Sequence, residues 1–174
     1  MCKFCLNVSL EAHSGRCELK ASVLFRVASV LLLLFALGHT FGFRRTKPEW
    51  GVGPLIASMR ETHFVVDGFS RTYWNFYVGF GLFVSVLLLF AARIAWQLGG
   101  LPADTLLLMR GTMWALAFCF VLLTILSWRY FFIAPIVFSI AITACLIVAA
   151  WLSGRRGQSK WGLSAVRFRQ FCPA

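Results

Sequence analysis

The chain has 174 residues, of which 60% are hydrophobic and 13% charged, and its net charge is +11. Soluble domains carry about 25% charged residues, so a water-soluble globule of this length could not hide so much apolar surface. Nucleic acid, a common partner of basic proteins, is not expected either, because the basic residues flank apolar stretches as they do around membrane spans.

Residues 1–22 are mixed and polar without periodicity, and a loose tail is expected there. Cys2, Cys5, His13 and Cys17 lie in this tail. Their spacing matches no common zinc module, so no metal is expected. Val23–Phe43 is the first of four apolar stretches, followed by Trp74–Leu98, Thr105–Ser127 and Phe131–Leu152. Each is close to the roughly 20 residues that cross a hydrocarbon core of about 30 Å as a helix. The expected fold is therefore all-α: a polytopic membrane protein whose residues 23–152 form a four-helix transmembrane bundle. The first stretch is too long for a secretory signal and lacks a small-x-small cleavage site, so it is read as an uncleaved anchor.

The longest loop runs from Arg44 to Tyr73. Pro54 suits the first turn of a helix, and Leu55, Ile56, Met59, His63 and Val66 recur at helical spacing. That pattern predicts a short amphipathic helix over Pro54–Val66, lying on the outer membrane surface and broken by Gly68, with Arg60 facing elsewhere. The turn Gly99–Ala103 makes an antiparallel hairpin of spans two and three, with Asp104 as a cap. Trp128-Arg129-Tyr130 is the link between spans three and four, and Pro135 falls in the first turns of span four, where a missing amide costs least. Residues 153–174 form a basic tail, expected to be disordered or to lie on the membrane surface.

Eleven of the 17 Lys and Arg lie in the tails, at the start of span one (Arg26) or near the turn between spans two and three; the other six are Arg44, Arg45, Lys47, Arg60, Arg71 and Arg129. Basic residues favour the cytoplasmic side, so both termini are expected in the cytoplasm and the long loop outside.

Most polar residues at membrane depth gather on that outer side. His39, His63, Asp67, Asn75, Tyr77 and Arg129 are the candidate ligand-binding residues, a polar cup open to the outer leaflet. Ionisable groups at this depth are expensive and usually face protein or a wet cavity. His39 has two readings: a histidine bonded to neighbouring backbone, or a proton-handling or ligand-contacting group. His63 and Asp67, four residues apart, would share a helix face and pair. With His39 they fit no known zinc signature. Asn75 can bond between helices. Arg129, between two aromatics, reads as an interface anchor or an anion contact. Gly38 with Gly42, and Gly79 with Gly81, are expected to let spans one and two pack closely.

The stretches YWNFYVGFGLFVSVLLLF at 73–90 and LSWRYFFIAPIVFS at 126–139, with Gly38-His39-Thr40 at the end of span one, resemble an uncharacterised family of small bacterial four-span inner-membrane proteins. The resemblance covers about residues 24–152. Members often carry an acidic residue where this chain has Asn75, which argues against a charge-based role at that position here. In span count and size the chain is also similar to DoxX-like four-helix membrane proteins. The first resemblance implies a bacterial inner-membrane location, and neither implies a reaction or a cofactor.

The function expected from these residues is binding of a lipid or another small amphiphile in the outer cup, or service as an accessory subunit for a membrane protein partner or a second copy of the chain. The alternative is a membrane enzyme acting on a quinone or isoprenoid, with His39 or Asp67 moving protons and Arg129 holding a negative group. No phosphate loop, serine triad or paired-carboxylate set is present.

Overall fold

A computed structural model describes the backbone of residues 3–169 and the side chains of residues 20–102 and 104–154. Helix α1 spans Lys3–Gly42, a 3-10 turn covers Pro48–Trp50, and α2 covers Gly53–Glu61. Strands β1 (His63–Val66) and β2 (Phe69–Thr72) follow, then α3 (Tyr73–Leu98), α4 (Ala103–Leu108), α5 (Arg110–Tyr130) and α6 (Ile133–Arg169). Four segments are long and apolar enough to cross a membrane: Lys20–Gly42, Tyr73–Leu98, Arg110–Tyr130 and Ile133–Gly154. The protein is thus an all-α, multi-pass membrane protein with four spans.

Several boundaries differ from the sequence reading. Residues 3–22, read as a loose tail, belong to α1, and residues 153–169, read as disordered or lying on the membrane surface, belong to α6. The third apolar stretch is broken at Met109, whose backbone (φ −87°, ψ 14°) separates α4 from α5. Pro102 occupies the N-cap position of α4 and Asp104 lies in its first turn, where its negative charge favours the helix dipole. Helix α5 continues through Trp128-Arg129-Tyr130, so the link to α6 is Phe131-Phe132.

The described chain divides into two compact units, Leu32–Phe90 and the remainder. In the remainder, each long helix buries a stripe at three- and four-residue spacing. Ala21, Phe25, Ala28 and Ser29 form it on α1, and Ala91, Ala92, Ala95 and Leu98 on α3. Met113, Ala117 and Phe120 continue it on α5, and Ile142, Leu146, Ala149 and Ala150 on α6. Lipid tails are as apolar as leucine, so helices in a bilayer associate through close packing of small side chains and interhelical hydrogen bonds. Alanine and serine supply both here. Ser29 Oγ donates to the Ala92 carbonyl at 2.8 Å, and the Ser22 hydroxyl donates to the Gly99 carbonyl. Gly99 itself permits this approach, because a Cβ there would stand 3.0 Å from Arg26 Cγ and 3.1 Å from the Ser22 carbonyl oxygen. Helices α5 and α6 pack along each other, joined by a Thr124–Thr143 hydroxyl contact of 2.9 Å. Their outward sides, such as Phe118 and Ile140, are exposed and apolar, as a hydrocarbon solvent requires.

The unit Leu32–Phe90 holds the end of α1, the long loop and most of α3. The loop contains a helix, as expected, but α2 stops at Glu61 instead of running to Val66. Beyond it, β1 and β2 form an antiparallel hairpin with His63 opposite Thr72 and Val66 opposite Phe69. Asp67 (φ 51°) and Gly68 (φ 82°) make the two-residue turn. Both left-handed conformations match the twist of a tight hairpin, which is why Asp-Gly pairs favour such turns. Strand β2 runs straight into α3 through Thr72, the residue before its first turn. Thr72 is buried, and its Oγ1 accepts a hydrogen bond from the Asn75 amide at 3.1 Å, capping the helix.

Candidate functional site

The site develops in the unit Leu32–Phe90, where the end of α1 meets the beginning of α3. His39 lies in the last turn of α1. Its Nε2 is 3.1 Å from the Gly81 carbonyl oxygen of α3, and its ring stacks on Phe43 at a centroid distance of 5.2 Å. A carbonyl only accepts, so Nε2 carries the proton of this bond. Beside it, Thr40 Oγ1 lies 2.8 Å from Ser85 Oγ and 2.7 Å from the Ala36 carbonyl, so its single proton chooses between them. Ser85 Oγ in turn is 3.2 Å from the Gly81 carbonyl.

Tyr77 closes the end of α1. Its hydroxyl donates to the Phe43 carbonyl at 2.7 Å, a group that has passed the helix end and needs a donor. Its ring meets Phe43 edge-on at 5.8 Å and lies 5.6 Å from Trp74. Over Trp74, at 4.7 Å from the ring centroid, sits the Arg60 guanidinium of α2, within the range where a cation is attracted to the ring face. A row therefore runs from Arg60 through Trp74, Tyr77 and Phe43 to His39, joining α2, α3 and α1. Arg60, expected to face elsewhere, joins this row with Trp74 and Phe43, and none of the three was among the candidate residues. A helix wheel carries no sign that the loop folds back over the start of α3.

His63, Asp67 and Asn75 do not join this row. His63 is exposed in β1, and its Nδ1 is 2.8 Å from the Glu61 carbonyl. Asp67 is exposed at the hairpin turn. A strand residue and a turn residue share no helix face, so the expected His63–Asp67 helical pair does not form. Asn75 contributes its backbone amide to the Thr72 cap while its side chain is exposed, so it does not bond between helices. Arg129 belongs to the other compact unit, in the last turn of α5, where it lies 5.6 Å from the Tyr130 ring. Among the described residues no group of three His, Cys, Asp or Glu could hold a metal ion.

The glycines also differ from expectation. Gly38, Gly42 and Gly79 have open space where a Cβ would be. Gly81 alone of the four makes a close approach: a Cβ there would overlap the Phe43 ring. Ser85 and Leu88 of α3 and Leu32 and Ala36 of α1 are buried instead, and Ser85 bonds across to Thr40 of α1.

The fold and these contacts define a multi-pass α-helical membrane protein with an aromatic and basic row at one end of its first two spans. Comparison with family models, with curated proteins and with solved structures gives no match for this chain.

Proposed function

We propose that this is a bacterial inner-membrane protein, both termini cytoplasmic, that holds a lipid or another small amphiphile on its periplasmic side. The observation that carries the reading is the row from Arg60 to His39. It offers flat apolar ring faces for an oily body, a guanidinium for a negative head and an imidazole held in place through its Nε2. A few convergent polar groups among apolar walls are what such a ligand needs. The distribution of Lys and Arg supports the orientation. The test is native mass spectrometry of the protein released from its own membranes into lipid nanodiscs. A bound amphiphile should be retained by the parent chain and lost from His39→Ala and Arg60→Gln at unchanged protein level. Parent protein that is consistently empty overturns the reading.

A second reading, an accessory subunit, is favoured by Gly38 and Gly42, at which no described residue comes within 4 Å of where a Cβ would stand. Crosslinking through a cysteine placed at Leu34 or Phe41 should then capture a partner helix, and a monodisperse monomer in membranes would exclude it.

A further inference from the structure

The hairpin carries an apolar surface of its own. Residues opposite one another on paired strands share a face, and that face repeats every second residue. Phe64 with Arg71 and Val66 with Phe69 therefore lie on one side, and Val65 with Ser70 on the other. The Phe64 side is turned toward the start of α3: its ring is 5.1 Å from Tyr73 and 5.8 Å from Phe76, and Phe76 is 5.1 Å from Phe80. Phe76 and Phe80 are 52% and 61% exposed on a membrane span, so they face lipid. Further along the same side of the ribbon, Val66 and Phe69 are 56% and 64% exposed. The lipid-facing stripe of α3 thus continues without interruption onto the hairpin. At its edge the Arg71 guanidinium lies 5.6 Å from the Phe69 ring centroid, a cation placed beside the apolar tip. The four residues of β2 reach about 13 Å from the helix start, so the tip of the ribbon stays close to the end of the span.

We infer that the hairpin is a membrane-interface anchor: its Phe64 side lies on the bilayer with Val66 and Phe69 at the boundary of headgroups and acyl chains, and Arg71 meets a lipid phosphate. Exposed aromatic and branched side chains beside an arginine match that boundary in both polarity and charge. The inference is independent of any ligand held by His39 and Arg60.

Nitroxides at Val66, Phe69 and Ser70, each introduced as a single cysteine in a chain whose six native cysteines are replaced, test it in vesicles of phosphatidylethanolamine and phosphatidylglycerol. Positions 66 and 69 should be relaxed by oxygen and shielded from a water-soluble nickel chelate, with an oxygen-to-nickel ratio several-fold above that of position 70 on the opposite side. Equal, water-like ratios at all three positions overturn the inference. So does strong spin–spin broadening at 66 and 69, which would give the tip to a second copy of the chain. Because replacing the cysteines can impair folding, a second measurement uses the unaltered chain and a photoreactive phosphatidylethanolamine labelled near its glycerol. Label should appear in the peptide containing residues 64–71; label confined to the spans overturns the inference.

Discussion

Replacing Gly81 by alanine tests the packing at the end of α1 with a single methyl group. The new Cβ would occupy space now taken by the Phe43 ring. Phe43 is only half-buried, so its ring can swing away while the backbone holds. The swing forfeits the stack on His39 and the edge contact with Tyr77, each worth about 0.5–1.5 kcal/mol. It also loosens the His39–Gly81 hydrogen bond, worth about 0.6 kcal/mol at the average for membrane helices. Against this, alanine is favoured over glycine within a helix by about 1 kcal/mol. The net expectation is a loss of about 1–2 kcal/mol, and reversible unfolding in mixed micelles containing dodecyl sulfate can measure it. In a Phe43→Ala background the overlapping ring is gone, and Gly81→Ala should instead stabilise by up to about 1 kcal/mol. A Gly81→Ala protein at least as stable as the parent, with Phe43 present, would refute the close approach.

Three further outcomes follow from the same contacts. Thr72→Ala removes the cap on α3 and should cost about 1 kcal/mol, with faster amide exchange at Asn75, whereas Thr72→Ser should keep both near the parent value. Gly68→Val forces a branched side chain to φ 82° and should cost about 1–2 kcal/mol locally; limited proteolysis should speed up near residues 66–69 while helix content stays unchanged. Phe25→Ala empties a site that is 0% exposed and should cost about 3–5 kcal/mol, while Phe118→Ala, 63% exposed toward lipid, should cost far less in the same unfolding assay.

The four spans were legible because a continuous apolar run of about 20 residues, nearly free of charge, finds a matching solvent only in the bilayer core. The loop was legible only in part. Leu55, Ile56, Met59, His63 and Val66 fit a helical repeat, and that repeat ran past the true end of α2. Asp67-Gly68 between Phe64-Val65-Val66 and Phe69 is the competing signal for a tight hairpin, and it outweighs the repeat once Thr72 is seen to cap α3. The glycine pairs misled for a related reason. Small residues let helices approach, but the buried stripe decides which ones are used, and on α1 and α3 alanine and serine fall on that stripe. His39 and Tyr77 were found as polar groups near a span end. Their partners were not, because a backbone carbonyl, a ring face and the guanidinium of Arg60 meet only after the loop has folded back.

Helix α3 has 26 residues, which makes it about 39 Å long. That is about 9 Å more than the hydrocarbon thickness of an ordinary bilayer, so the helix must tilt or protrude to fit. Because β2 enters α3 with no intervening residue, the ribbon rides on the span like a vane on a shaft. A thinner membrane, demanding greater tilt, swings the vane to a new angle against the lipid surface.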